Sequence, residues 1–377
     1  MIRSRADLTR ARRVVVKIGS SLLADATDGI CQDVVDRLVD DLACFMADGV
    51  QVVVVTSGAV ALGRVDRGWL NRELTVHEKQ AAAAIGQPKL MSAYAGAFAR
   101  HDRSVAQMLL TKDDLRHRRR YLNASNTSET LFSAGVVPIV NENDTVVVAE
   151  IKFGDNDSLG ALVSLVVDAD LLVMLTDVEG LFDRNPNEDA GAARIGVVEH
   201  LSEEHIAMAG DAGSAFGTGG MASKLSAARV ATRNGVAAAI ISGRKPDALL
   251  RLLAGEDEGT LFLCGVDRQT RRKHWITEVL NPVGEIHVDA GAAQALLKQG
   301  SSLLPIGVVA VDGVFDKGDC IEIVGPDGVF ARGLCNYSAE EMRRIKGHAS
   351  GEVESILGYR DFTSVIHRDN LVLTTNN

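Results

Sequence analysis

The stretch "RVVVKIGSS" (Arg13–Ser21) decides how the rest of the chain is read. Three valines and an isoleucine flank one lysine, and the run stops at a glycine followed by two serines. A continuous β-branched run without apolar–polar alternation is the pattern of a strand covered on both faces, as in a parallel sheet. Such a strand requires helices on either side, and the sequence supplies them. "CQDVVDRLVDDLACFMADG" (31–49) sets Val34, Val35, Leu38, Val39, Leu42, Phe45 and Met46 at helical spacing. Asp33, Asp36, Arg37, Asp40 and Asp41 fill its other face, and Gly49 is its expected stop. Further apolar runs, "VQVVVVTSG" (50–58), "SVAQMLLT" (104–111), "VVPIVNEND" (136–144), "LLVMLTD" (171–177) and "VAAAII" (236–241), read as strands. They alternate with helical stretches near 77–99, 121–134, 158–167 and 222–234. The expected fold class for residues 1–265 is α/β: a doubly wound, layered α/β/α structure with a mostly parallel sheet.

Beyond about Leu263 the pattern changes. "DRQTRRKHW" (267–275) is basic and polar, so residues 266–283 read as a linker. Short strand-sized pieces separated by glycine follow: "GEIHVD", "VVAVDGVF", "DCIEIVG" and "GVFARGLCNYS". With the helical "AGAAQALLKQG" among them, residues 284–367 predict a small β-barrel-like domain, and 368–377 a tail. Two domains suit a chain of 377 residues.

Composition narrows the function classes. A formal net charge of −10 argues against nucleic acid as the main partner, although a local pocket can still oppose the global field. Residues 276–377 carry 14 acidic and 8 basic side chains, a poor balance for RNA, whose affinity rests on phosphate neutralisation. The cluster Arg343, Arg344 and Lys346 reads as a solvated helix face. Five scattered cysteines without a C-x-x-C pair predict reduced thiols rather than a disulfide framework or structural zinc, and a cytoplasmic setting. The arginine-rich start "MIRSRADLTRARR" is interrupted by Asp7, and no apolar run approaches the ~18 residues of a membrane span, so no membrane role is expected.

In an open α/β sheet, ligands bind beyond the carboxyl ends of the strands. Those ends carry "KIGSS" (17–21), "TSGA" (56–59), "NENDT" (141–145) with "GDND" (154–157), and "TDVEGLF" (176–182). A last helix opens with "GTGGMASK" (217–224). That segment is not a P-loop, since Ser223 rather than glycine precedes Lys224. Nor does it suit a dinucleotide fingerprint, because no strand leads into Gly217 and no acid ends the strand that follows. Taken singly, Ser57, Asp144 or Thr218 would serve as a cap or turn residue. Lys17 is different, because an unpaired ammonium inside a buried strand is costly. Lys17 and Lys224, converging on glycine-rich anion sites, point to a bound phosphate.

Taken in order, "VVKIGS", "VVVTSGAVALG", "PIVNENDTV", "IKFGDND", "LLVMLTDVEGLF" and "GTGGMASK" resemble the amino acid kinase family, and more narrowly its glutamate 5-kinases. The trailing "GSSLLPIGV", "GDCIEI" and "VFARGLCNYSAEEMRRIKG" are similar to a PUA domain. The resemblance runs from about Arg13 to His367. It implies that ATP, with Mg²⁺, phosphorylates the γ-carboxylate of L-glutamate in the first step of proline synthesis. It further implies Lys17 and Lys224 as the phosphoryl-stabilising cations and Asp157 as the residue that orients them. Ser57, Asp144 and Asn156 match the family's glutamate contacts. Lys17, Thr176 and Asp177, with Thr218, Gly219, Gly220, Met221, Ala222, Ser223 and Lys224, match its ATP segments. The backbone N–H groups at Gly19–Ser20 and Gly219–Gly220 would reach the phosphates. Thr56 and Ser223 stand where the family commonly has serine and threonine, swaps that keep the hydroxyl. No protein ligand set for the metal is evident. The family also implies feedback inhibition by proline and a homo-oligomer, a dimer or tetramer. A sibling kinase acting on another carboxylate, carbamate or a nucleotide is the main rival reading, and an RNA-binding protein the second.

Overall fold

The computed structural model describes residues 2–25, 29–146, 156–186, 188–189, 191–208, 220–265, 276 and 279–374. The chain forms two compact units. The first combines Met1–Lys112 with Ala124–Val266, and the second combines Asp113–Asn123 with Asp267–Asn377.

Along the chain come β1 (Arg13–Ile18), α1 (Ser20–Leu23), a two-residue pair β2 (Ala24–Asp25) and β3 (Gly29–Ile30), and α2 (Gln32–Ala47). β4 (Gln51–Val55), α3 (Ala59–Arg67), α4 (Val76–Ala99), β5 (Val105–Leu110), α5 (Lys112–Arg116) and α6 (Arg118–Ser133) follow. Then come β6 (Val137–Glu142), α7 (Asn156–Val166), β7 (Leu171–Thr176), β8 (Val197–Val198) and α8 (Glu203–Met208). α9 (Met221–Arg233), β9 (Ala237–Ser242), α10 (Ala248–Leu253) and β10 (Thr260–Phe262) come last in this run, of which most of α5 and the start of α6 fall in the second unit.

The main sheet has the order β5-β6-β4-β1-β7-β9-β10-β8. Its first six strands are mutually parallel, which is the arrangement the unalternating apolar runs require. β10 runs antiparallel to β9 and pairs in parallel with β8. These last two strands, three and two residues long, are too short to leave a pattern in the sequence.

Side-chain alternation along β1 divides the layers. Val14, Val16 and Ile18 pack with Val35, Leu38 and Leu42 of α2, Leu90, Tyr94 and Phe98 of α4, and Leu249 and Leu252 of α10. Lys17 points to the opposite face. There its stem meets Gly160 of α7, where a methyl group would stand 3.4 Å from Lys17 Cβ. The sheet is thus sandwiched between two helical layers. α2 stops as the sequence predicts, with Gly49 in the left-handed region at φ +82° just beyond the cap Asp48. The order reverses at β1, which has β4 on one side and β7 on the other, so a crevice opens at their carboxyl ends.

The second unit is built on a mixed five-stranded sheet ordered β12-β11-β13-β14-β15. Its strands are β11 (Gly284–Val288), β12 (Val308–Gly313), β13 (Cys320–Gly325), β14 (Gly328–Leu334) and β15 (Leu371–Leu373). Ile286, Ile321, Ile323, Phe330, Tyr337 and Met342 contribute to its core. The helix read from the sequence is present at Ala290–Gln299, capped by Asp289. A second helix, Ala339–Ile345, is opened by a Ser338–Glu341 capping box. Arg343 and Arg344 lie on it, and each donates to a backbone carbonyl, those of Gly313 and Ile356 respectively. None of the five cysteines is in a disulfide, and burial pushes the Cys320 and Cys335 thiols up to about 12. Among the described residues, no helix is long and apolar enough to cross a membrane.

Candidate active site

Three charged side chains from three elements meet at the carboxyl edge of the main sheet. Lys17 comes from the end of β1, Asp157 from the first turn of α7, and Lys224 from the first turn of α9. Lys17 Nζ lies 2.6 Å from Asp157 Oδ1, and Lys224 Nζ lies 3.4 Å from Asp157 Oδ2. Ser223 donates to Asp157 Oδ2 at 2.7 Å. Asp157 is 1% exposed and each lysine 6%, so the cluster holds a net charge of +1 almost out of water. Burial on its own would raise the Asp157 pKa. The two ammonium groups outweigh that cost and hold its carboxyl below the usual range. Burial also lowers Lys224, with the positive charge of Lys17 adding to it and Asp157 opposing it.

Gly220 caps α9 in an extended conformation, and Met221, Ala222, Ser223 and Lys224 form the first turn of that helix. Thr218 and Gly219 lie outside the described residues. Thr176 ends β7 and is buried, its hydroxyl donating to Asp177 at 3.0 Å. Asp177 is exposed and close enough for its charge to favour the ammonium form of Lys224. One expected phosphate donor is not available. The Gly19 amide donates to the Leu175 carbonyl of β7 at 3.3 Å, because the β1–β7 ladder continues one residue past the strand.

A second group of polar side chains lies at the ends of β4 and β6. Asn156, the first residue of α7, donates from Nδ2 to Ser57 Oγ at 2.9 Å and to Asn141 Oδ1 at 3.3 Å. Asn141 in turn donates to Gln87 Oε1 of α4 at 2.8 Å. Because Asn156 and Asp157 are consecutive in α7, one helix start serves both groups. Asp144 stands in the turn after β6, and burial raises its carboxyl to about 6. No hydrogen bond joins Asp144 to Ser57 or Asn156 among the described residues.

The resemblance groups Lys17, Asp157 and Lys224, which are in contact in the structure, while Ser223, expected only in the nucleotide segment, also reaches Asp157. It also grouped Ser57 with Asn156, which are hydrogen-bonded. It missed Gln87 and gave Asn141 no individual role. α4 is so rich in alanine that its buried face cannot be phased from the sequence. The one available signal is a glutamine seven residues before a tyrosine, which puts both on one side of the helix.

Comparison with known proteins fits this geometry. Residues 12–242 match the amino acid kinase family, and residues 284–357 match the PUA domain. The chain is 49% identical over 370 residues to the glutamate 5-kinase of Trichlorobacter lovleyi, covering 98% of each. It is 50% identical to that of Geobacter sulfurreducens over 367 residues, or 97% of this chain and 98% of the other. The glutamate 5-kinase of Chromohalobacter salexigens is 49% identical over 371 residues, covering 98% of each. The chain belongs to the amino acid kinase family and, within it, to the glutamate 5-kinases that carry a PUA domain.

Proposed function

We infer that the chain transfers the γ-phosphoryl group of ATP to the side-chain carboxylate of L-glutamate, giving glutamyl 5-phosphate, the first step of proline synthesis. The observation that carries this reading is the buried Lys17–Asp157–Lys224 cluster at the sheet edge. Near-full-length identity to glutamate 5-kinases supports the choice of substrate.

The chemistry asks little of the protein in proton transfer. A glutamate carboxylate, with a reference pKa of ~4.3, is ionised at pH 7 and is already the nucleophile, so no general base is required. The task is to position two anions and neutralise the charge that develops on the transferring group. Lys17 and Lys224 supply that neutralisation. Asp157 keeps both ammonium groups at one point and accepts no proton from the substrate. Thr176, Asp177 and the opening of α9 through Lys224 hold the nucleotide, while Ser57, Asp144 and Asn156 hold glutamate. Asp144 is the partner for the α-ammonium.

Among the described residues there is no group of three or more His, Cys, Asp or Glu placed to hold a metal. Mg²⁺ belongs with the nucleotide phosphates in this reading, where it would offset their charge. Proline would act as a feedback inhibitor at or near the glutamate subsite, and the working form would be a dimer or tetramer.

The test is to incubate the protein with Mg-ATP, hydroxylamine and one of L-glutamate, N-acetyl-L-glutamate or L-aspartate, then to measure hydroxamate and ADP. Hydroxamate with glutamate alone is the expected result. Product with another acid instead would keep the phosphoryl-transfer site and move the substrate. No product with any acid would remove the kinase reading.

A further inference from the structure

Helix α4 supplies none of the groups assigned above to phosphoryl transfer, yet two of its polar side chains are buried against the strand ends that carry the site. The Tyr94 hydroxyl is 2.9 Å from Thr56 Oγ1 at the end of β4. Gln87, two turns earlier and 8% exposed, meets Asn141 at the end of β6. From Gln87 a single line of hydrogen bonds runs to Asn141, Asn156 and Ser57.

The direction of that line follows from one fixed donor. The backbone N–H of Glu142 can only donate, and it points at Asn141 at 2.9 Å, so Asn141 must present Oδ1 to it. Asn141 Nδ2 then faces Gln87, which must answer with Oε1. Asn156 likewise must offer Nδ2 to Asn141 Oδ1, and the same Nδ2 reaches Ser57 Oγ. The far end of the line is thereby determined. Ser57 Oγ receives a hydrogen bond, so its own O–H can donate, and it has no acceptor among the described residues. Asn156 turns its carbonyl oxygen the other way, and that buried Oδ1 has no hydrogen-bond partner among the described residues. A donor and an unpartnered acceptor side by side suit a group carrying both a carboxylate and an ammonium.

We propose that Gln87 is a positioning residue for substrate selection, acting through Asn141 to hold Asn156 with its oxygen toward the substrate's α-ammonium and Ser57 with its hydroxyl toward the α-carboxylate. The proposal rests on the reading of Ser57, Asp144 and Asn156 as glutamate contacts. It adds the reason why a free amino acid is preferred to an N-acylated one. An ammonium can donate to Asn156 and Asp144 together, whereas an amide has a single N–H.

The test compares wild type with Gln87→Met, Asn141→Leu and the double variant in the hydroxamate assay. The expected result is a glutamate KM raised about tenfold or more, an ATP KM changed less than about twofold, and a smaller preference for glutamate over N-acetyl-glutamate. Because both residues act through one line, the double variant should be no worse than the more affected single variant. Gln87→Glu keeps an oxygen facing Asn141 and should lie closer to wild type than Gln87→Met. It also serves as the second measurement if the methionine variant does not fold. An unchanged glutamate KM in Gln87→Met, additive effects, or equal losses for ATP and glutamate would overturn the proposal. A wild-type protein that makes no hydroxamate from glutamate would instead overturn the underlying functional reading.

Discussion

Lys17 and Asp157 form a 2.6 Å ion pair that is almost wholly withdrawn from water, and the aspartate is also within reach of a second buried lysine. One carboxylate therefore holds two cations. A cluster with an excess positive charge in a buried place is costly to assemble, and its cost falls when a polyanion arrives. That asymmetry separates the effects of the three side chains.

Lys17→Met leaves a neutral Asp157–Lys224 pair. Asp157→Asn leaves two ammonium groups with no counter-charge. Breaking a buried pair in that way costs about 3–5 kcal/mol, so Asp157→Asn should be the less stable variant in urea denaturation. Both should lose activity, with kcat falling by about 10²–10³ for each lysine removed. If Lys17→Met and Lys224→Met both turn over near the wild-type rate, the assigned role is wrong. If Asp157→Asn is as stable as wild type, the electrostatic account of the cluster is wrong.

The parts of this arrangement that were legible in the sequence are those where one residue type has few alternatives. A lysine in a run of valines needs a partner, and strand ends rich in Gly, Ser, Asn and Asp mark a ligand edge. Such signals lead to Lys17 and Lys224, whereas Ser57, Asn156 and Asp157 take their roles from the resemblance to the amino acid kinase family. What stayed hidden depends on packing. Nothing in the composition of Asp113–Asn123 reveals that it belongs with the second unit. β8 and β10 owe their pairing to neighbours rather than to their own few residues. Gln87 looks like one more polar residue on an alanine-rich helix until Asn141 is seen beneath it. The loss of Gly19 as a phosphate donor likewise depends on its neighbour, because only strand register places the Leu175 carbonyl there.

Asp144 gives a pH signature. Burial raises its carboxyl to about 6, well above the ~4.3 of a free glutamate side chain, so the two ionisations are separable. If Asp144 must be ionised to receive the α-ammonium, kcat/KM for glutamate should be level above pH 7 and fall about tenfold per unit below 6. Asp144→Asn should raise the glutamate KM and abolish that acid limb. A limb that survives in Asp144→Asn would assign it to another group.

Helices α3 and α4 touch through their backbones. A methyl group at Gly63 would lie 1.8 Å from the Ala82 carbonyl oxygen, and one at Gly86 would lie 1.9 Å from that of Ala59. Glycine to alanine within a helix ordinarily stabilises by about 1 kcal/mol. Here the sign should reverse, with Gly63→Ala and Gly86→Ala each losing about 1–3 kcal/mol or more, because backbone has to move. Ser57 lies just before α3 and Gln87 next to Gly86, so the displacement should also raise the glutamate KM more than the ATP KM. Thermal unfolding and steady-state kinetics on the two variants check both parts. A gain in stability would show that the helices separate freely.

Asp41 of α2 sits on the other side of the sheet, away from the chemistry, and its burial should appear in stability alone. The residue is 7% exposed, and its carboxyl is raised from 3.8 to about 6, first by burial, then by the charge of Asp247 and, more weakly, Asp40, with Arg37 opposing. A raised carboxyl pKa means that the folded state binds the proton more tightly than the unfolded chain. Ionised Asp41 therefore destabilises the fold above about pH 6, and that penalty is relieved as pH falls from 6 towards 4, where the unfolded carboxyl protonates as well. Asp41→Asn should accordingly be more stable than wild type at pH 7.5, by at most about 3 kcal/mol, with the difference shrinking by pH 5. Urea denaturation of both proteins at the two pH values measures this directly. A variant that is less stable at pH 7.5 would mean that the ionised carboxylate is held by favourable contacts that outweigh its desolvation.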